Sequence, residues 1–347
     1  MIEEHKTPPI IVFLTFLVSL LVTVFVLPRL CVIASRIGLL DYPDSVRKMH
    51  ASPKPLVGGI GMGMGMLLSS LLFIPLTDLR GVFSGTAILM IVGFLDDFTE
   101  LNHRVKFVAQ VIASVLLVVF SKVILMSFGN LLPSIMFDMN IFIAVPLTIF
   151  CCVGVMNSIN MIDGLDGLAG GVSLVGFLSM GILAFMNGQK EIVLLCMALS
   201  GAVSGFLIFN WNPSKLFMGD SGSLFLGFAL AFLSIVTTQI DHCPTPPVAP
   251  LLILGVPIVD TIRIMIKRIR QRRNPFEADK DHIHHILLKK TKYGVKGAVG
   301  IIILISALLS IIAIVGTYLR IPEYYLFAIF IGYGVIHIAV ISKYPST

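Results

Sequence analysis

Val82-Phe-Ser-Gly-Thr-Ala-Ile-Leu-Met-Ile-Val-Gly-Phe-Leu95 is an apolar run that stops abruptly at Asp96-Asp97. Beyond the pair lies a polar segment carrying Arg104 and Lys106. Neighbouring carboxylates repel each other, and at a membrane boundary a cation normally neutralises them. The pair therefore points to a divalent metal or a cationic partner. A solvated helix end is the plainer account of the pair taken alone, but two further acidic segments in similar settings weigh against it.

The rest of the chain supports reading this run as a membrane span. Of 347 residues, 56% are hydrophobic and 13% charged, and the mean hydropathy is +0.97. No soluble domain of this length buries so much apolar surface, so the bilayer must be its solvent. The expected fold is all-α: one polytopic transmembrane helix bundle covering residues 1–347. Eleven spans are read at roughly 10–27, 57–75, 82–96, 105–121, 141–156, 172–187, 191–209, 223–240, 248–266, 298–317 and 324–341. Region 122–140 is interrupted by Gly129 and Pro133 and reads as an outer loop with a short helix, or as part of a re-entrant excursion. The first span has no cationic leader and no small-residue cleavage site, so it reads as a retained anchor.

Basic residues set the orientation. With the N-terminus outside and the C-terminus cytoplasmic, the inner segments and tail hold 19 of the 25 Lys and Arg residues, ten of them in 267–297. The net charge of +6 then describes cytoplasmic loops facing anionic lipid and substrate; nucleic acid is not implied. Five cysteines lie mainly in apolar runs without metal-type spacing and read as small buried hydrophobes.

Nearly every unusual polar motif falls on that inner side, in segments 28–56, 96–106, 157–171, 210–222 and 267–297. The first carries Arg47, Lys48, His50 and Lys54 and runs into a glycine-rich helix start at Gly58-Gly59, where backbone N–H groups and cations suit phosphate oxygens. The later glycines read as helix packing. The third reads Asn157-Ser-Ile-Asn160-Met-Ile-Asp163-Gly164-Leu-Asp166-Gly167. A helical turn there places Asn157, Asn160 and Asp163 along one face, and such oxygens are the hard ligands Mg²⁺ prefers. Asp-Gly pairs are also ordinary turn residues. The fourth, Asn210 to Ser223, holds Asp220 between glycines and offers Phe217 and Trp211 as aromatic faces; Trp211 reads as an interfacial anchor. The last combines the basic run Lys267 to Arg273 with Asp279 and Asp281-His282-Ile-His284-His285. The basic run reads as a headgroup or positive-inside patch. The histidines suit either zinc or hydrogen bonding to a pyrophosphate.

Phe94-Leu-Asp-Asp97, the Asn157–Ala169 segment, Phe217-Met-Gly-Asp-Ser-Gly-Ser223 and Asp281–His285, in that order, resemble the polyprenyl-phosphate N-acetylhexosamine-1-phosphate transferases (glycosyltransferase family 4) over essentially the whole chain. The resemblance implies attack by undecaprenyl phosphate on the β-phosphate of a UDP-N-acetylhexosamine at a bacterial cytoplasmic (inner) membrane, with UMP leaving. It implies Mg²⁺ as cofactor, Mn²⁺ substituting, and it accommodates a homodimer. Asn160 and Asp220 become the metal ligands. Asp96, Asp97 and Asp163 become catalytic groups, the first two near the lipid phosphate. Lys54 and Lys106 become phosphate partners, Asp166, Asn210 and Phe217 contacts to uridine, and His282, His284 and His285 contacts to the sugar phosphate. No general base is assigned, because a phosphate monoester is already largely ionised near pH 7. The Asp-His-Ile-His-His form resembles the branch that transfers N-acetylglucosamine 1-phosphate to begin O-antigen, common-antigen or teichoic-acid chains. Two other readings remain: a transporter, which predicts ionisable groups in both membrane halves, and a zinc intramembrane hydrolase built on the three histidines.

Overall fold

Backbone in lipid must satisfy its own polar groups, and the chain does so almost entirely as helix. A computed structural model describes residues 8–43, 52–75, 79–133, 135–240, 243–272 and 282–342. Its helices are α1 (Pro9–Ile37), α2 (Gly58–Phe73), α3 (Arg80–Thr99), α4 (His103–Ser121), α5 (Ile141–Ile162), α6 (Leu168–Met186) and α7 (Lys190–Asn210). There follow α8 (Gly219–Val236), α9 (Val248–Ile253), α10 (Gly255–Arg270), α11 (Ile283–Lys290), α12 (Gly294–Tyr318) and α13 (Glu323–Ser342). Between α1 and α2, strands β1 (Leu40–Asp41) and β2 (Lys54–Pro55) pair antiparallel, with Leu40 opposite Pro55.

Nine of the described helices are long and apolar enough to cross a membrane: α1, α3 to α8, α12 and α13. The 16-residue α2 and the α9–α10 pair occupy the other two of the eleven expected segments. The protein is a polytopic membrane helix bundle. Four boundaries or shapes differ from the sequence reading. Helix α1 runs through Pro28 to Ile37 instead of ending near residue 27, because membrane helices tolerate an interior proline. Helix α5 continues past 156 to Ile162. The span at 248–266 is broken at Leu254, where Pro257 has no N–H to offer the Ile253 carbonyl. Region 122–140 contains no helix among its described residues. It is an extended hairpin in which the Phe128 N–H donates to the Phe137 carbonyl at 3.0 Å and the Phe137 N–H to the Gly129 carbonyl at 3.1 Å. Gln239 accepts the N–H groups of Met126 and Ser127 at 2.9 Å each, and Glu323 accepts that of Asn130 at 2.6 Å, so the hairpin is tied to the ends of two spans.

Helix α8 lies at the centre, apolar from Leu224 to Leu233, and its Phe225, Phe228 and Phe232 are fully buried. It packs against α2, α3, α5 and α6. Helix α1 turns a narrow stripe of Thr15, Ser19, Thr23 and Leu27 inward, four residues apart. Ser19 donates to the Ala198 carbonyl at 2.6 Å and Ser69 to the Thr15 carbonyl at 2.6 Å, the small-residue contacts that bind helices in lipid. Because consecutive spans alternate in direction, the ends of α1, α3, α5 and α7 and the starts of α2, α4, α6, α8 and α12 meet at one end of the bundle. The polar motifs meet there too.

Candidate active site

A cavity of about 870 Å³ opens among those helix ends. One wall carries Asp96, Asp97, Asp163 and Asp220; another carries Lys54, Asp166 and Phe217, with His285 on its rim.

The carboxylate wall is built on the start of α8. Gly219 takes a left-handed conformation (φ 72°), turning the chain into the helix. The first N–H groups of a helix lack internal partners. Here Asp97 of α3 accepts the Asp220 N–H at 2.7 Å, the Ser221 N–H at 3.3 Å and the Ser221 hydroxyl at 3.1 Å. A side chain on residue 219 would overlap Asp97, so the glycine is what admits the carboxylate. Asp97 thus caps α8 from a neighbouring helix and fixes where Asp220 points. Lys106 joins Asp96 (2.9 Å) to Asp220 (2.8 Å), and Asp96 also accepts the Leu101 N–H at 2.8 Å. Asn160 donates from Nδ2 to Asp220 at 3.0 Å and contacts the Ser223 hydroxyl at 2.8 Å. Its Oδ1 has no partner among the described residues.

Asn157 and Asn160 do not share a face in use. Asn157 exchanges hydrogen bonds with Gln110 of α4 at 3.0 and 3.3 Å, while α5 ends at Ile162 and leaves Asp163 just past the helix end, facing the cavity. Asp163 is exposed to the cavity, but desolvation by the surrounding groups, and then the charges of Asp220, Asp97 and Asp166, push its carboxyl up to about 7.

On the opposite wall Asp166 accepts from Asn212 Nδ2 (2.9 Å), the Ser214 N–H (3.0 Å) and the Ser214 hydroxyl (2.8 Å). Lys54 donates to Ser214 at 2.7 Å, stands 3.9 Å from Asp166 and lies 4.7 Å above the Phe217 ring. Asn210 is buried and engaged at both ends of its amide: it accepts the Gly167 N–H at 2.9 Å and donates to the Leu216 carbonyl at 2.9 Å, stitching the two glycine-rich loops together. The histidines separate. His285 reaches the cavity rim, but His282 and His284 are buried behind it. His282 Nδ1 meets Asp260 at 2.8 Å. His284 stacks on His282 with centroids 5.4 Å apart and presses on Gly164, where any side chain would overlap its ring. Burial, and then the charges of His285 and His282, lower the His284 pKa to about 3, so its ring is neutral at working pH. Among the described residues no three His, Cys, Asp or Glu side chains are already gathered around one metal position, at the histidines or at the carboxylate wall; the zinc reading also loses His282, which Asp260 holds.

Residues 79–238, from the approach to α3 to the end of α8, match the model of glycosyl transferase family 4. A probable undecaprenyl-phosphate N-acetylglucosaminyl 1-phosphate transferase of Bacillus subtilis (strain 168) is 35% identical over 310 residues, covering 88% of this chain and 84% of the relative. The chain belongs to glycosyl transferase family 4. Undecaprenyl-phosphate alpha-N-acetylglucosaminyl 1-phosphate transferases of Escherichia coli (strain K12) and Yersinia pestis are 32% and 33% identical over 307 residues, each covering 86% of this chain and, respectively, 82% and 83% of the relative.

The family 4 stretch holds every aspartate of the carboxylate wall, whereas Lys54 and the histidines lie outside it. Of the sequence-derived site residues, Lys54, Asp96, Asp97, Asp163, Asp166, Asn210, Phe217, Asp220 and His285 line the cavity. Lys106 and Asn160 stand directly behind it through their bonds to Asp220. Arg47, Lys48, His50, Arg273, Asp279 and Asp281 lie outside the described residues. Sequence reasoning missed Ser221, Ser223 and Asp260. Asp260 had a signal: a carboxylate inside an apolar segment, three residues from Arg263, always needs a partner. The donor set fits a hard divalent cation. Four carboxylates line one wall and Lys106 is bonded to only two of them, Asp96 and Asp220; the Asn160 side-chain oxygen faces no partner among the described residues, and Asp163 carries a raised pKa that added positive charge would relieve.

Proposed function

We propose that this family 4 chain transfers N-acetylglucosamine 1-phosphate from UDP-N-acetylglucosamine to undecaprenyl phosphate at the cytoplasmic face of a bacterial inner membrane. The products are UMP and undecaprenyl-pyrophosphoryl-N-acetylglucosamine, the first intermediate of a cell-surface polysaccharide. The observation that carries this reading is the cavity itself. It sits where spans end, has a carboxylate wall on one side and a cation over an aromatic ring on the other, and matches relatives named for this reaction over most of the chain.

An acceptor phosphate oxygen forms a bond to the donor's β-phosphorus while the bond to the bridging oxygen breaks. That oxygen leaves with the electron pair as part of UMP, and the sugar–phosphate bond is untouched. The acceptor oxygen is already anionic, so it needs placement more than deprotonation. Asp220 and Asn160, with Asp163 on the same wall, would hold Mg²⁺ or Mn²⁺. When bound, the ion would supply Lewis-acid stabilisation of the charge that builds on the pyrophosphate oxygens. Lys106, which bridges Asp96 and Asp220, supplies a positive charge beside the carboxylate wall and would meet the incoming phosphate. Lys54 offers charge, and Phe217 a face for the uracil ring. Asp166 and Asn210 act mainly by fixing the loops that shape this subsite, since their oxygens already hold Ser214, Asn212 and Gly167. His285, the one of the three histidines that lines the cavity, would meet the sugar phosphate.

Purified protein in nanodiscs, given radiolabelled UDP-N-acetylglucosamine and undecaprenyl phosphate with and without Mg²⁺, should form a lipid-linked sugar and release UMP only with the metal. Parallel reactions with UDP-N-acetylgalactosamine and UDP-MurNAc-pentapeptide decide the donor. No product from any donor in folded protein contradicts the assignment and favours the transporter reading.

A further inference from the structure

Asp260 of α10 is 2% exposed, lies outside the cavity wall, and has no part in the steps above. Four donors converge on its carboxylate. His282 Nδ1 meets Oδ2 at 2.8 Å; at Oδ1 the Ile283 N–H stands at 3.2 Å, the Arg263 guanidinium at 2.9 Å and His337 Nε2 at 3.4 Å. An ionised carboxylate only accepts, so the His282 proton is on Nδ1. The Tyr333 hydroxyl stands 3.0 Å from His337 Nδ1 and donates to it, which puts the His337 proton on Nε2, facing Asp260. The Ile283 N–H is the first of α11, a group with no partner inside its own helix. Asp260 therefore caps α11 from α10 and locks the ring of the residue that precedes it. From His282 the contact passes through the stacked His284 to Gly164, next to Asp163, and α11 carries His285 to the cavity rim.

We propose that Asp260 is a positioning residue of the transfer reaction: by fixing the His282 ring and the first turn of α11, it sets where His285 and the Asp163–Asp166 loop stand. The inference rests on the transferase reading above. A carboxylate that merely satisfied its own burial would affect stability without acting on turnover through His282. Replacement by Asn separates the two roles. If the new amide oxygen keeps the Ile283 N–H, its NH₂ faces the His282 Nδ1 proton, and the imidazole must change tautomer or turn away.

The test is steady-state kinetics of full-length wild type, Asp260→Asn, Asp260→Glu, His282→Gln and the Asp260→Asn/His282→Gln double variant in nanodiscs, with thermal melts of each. In Asp260→Asn, kcat should fall about 10- to 100-fold while KM for UDP-N-acetylglucosamine stays within about threefold. Asp260→Glu should recover part of the loss, and the double variant should be no slower than the worse single one. A cooperatively melting Asp260→Asn with wild-type kcat, or losses that multiply in the double variant, would overturn the proposal. Should Asp260→Asn not fold, His282→Gln decides: it keeps a donor toward Asp260 but removes the ring, so reduced kcat supports the role and unchanged kcat overturns it. A wild type that transfers nothing overturns the transferase reading and this role with it, whereas an active wild type beside unaffected variants overturns this role alone.

Discussion

Asp260 and Asp220 are aspartates on helices at the same end of the bundle, and their surroundings differ in kind. Asp260 is buried, and four donors fill its oxygens. Asp220 is half-buried, shares Lys106 with Asp96, has one amide partner in Asn160, and faces a cavity into which Asp97 and Asp163 also project. One cluster is balanced within the protein and holds helices together. The other carries surplus negative charge that a ligand must balance, and that imbalance marks where chemistry takes place.

The largest effect expected from breaking this contrast comes from Asp220→Asn. It removes charge from the unbalanced wall and should lower kcat by roughly 100- to 1,000-fold in folded protein. Near-normal turnover at saturating Mg²⁺ would refute the ligand role. Asp97→Asn comes next. Its carboxylate is spent capping α8, so replacement should cost about 1 kcal/mol of stability. By displacing Asp220 it should also cost about 10- to 100-fold in kcat. A kcat loss with an unchanged melt would instead make Asp97 a group that touches substrate.

The third prediction concerns pH. The Asp163 carboxyl rises from 3.8 to about 7 on folding, so the folded chain binds that proton more tightly than the unfolded one. Metal-free protein therefore loses stability as pH rises from about 4 to about 7. A divalent cation offsets the loss only when the carboxylate is ionised. The rise in melting temperature on adding Mg²⁺ should be larger at pH 8 than at pH 5.5; an equal rise at both would remove Asp163 from the cation's surroundings. The smallest effect is expected at the opposite end of the bundle. Gln239→Ala loosens the 126–139 hairpin by about 1 kcal/mol and should leave turnover within about twofold of wild type. A larger kcat change there would mean the two ends are coupled.

How much of this was legible in the sequence follows from range. Spans and their order were readable because lipid imposes composition locally, and the site segments were readable because carboxylates at span ends need explanation wherever they lead. Partners across the fold were not. That Asn157 belongs to Gln110, that Asn210 is consumed by Gly167 and Leu216, and that Asp97 caps α8 depend on which helices adjoin, which no single segment states. The three histidines looked alike in sequence, and only the pitch of α11 sends His285 to the cavity and His282 to Asp260. The end of the first span was also not legible: the apolar run read at roughly 10–27 does not show that α1 continues through Pro28 to Ile37.

The most direct test of the contrast is a Mn²⁺ titration followed by electron paramagnetic resonance on purified wild type, Asp220→Asn and Asp260→Asn in nanodiscs with UDP-N-acetylglucosamine present. The account predicts that wild type and Asp260→Asn immobilise the ion with similar affinity and that Asp220→Asn loses most of it. Equal binding by Asp220→Asn, or a matching loss in Asp260→Asn, would contradict the division between a wall awaiting a cation and a cluster already complete.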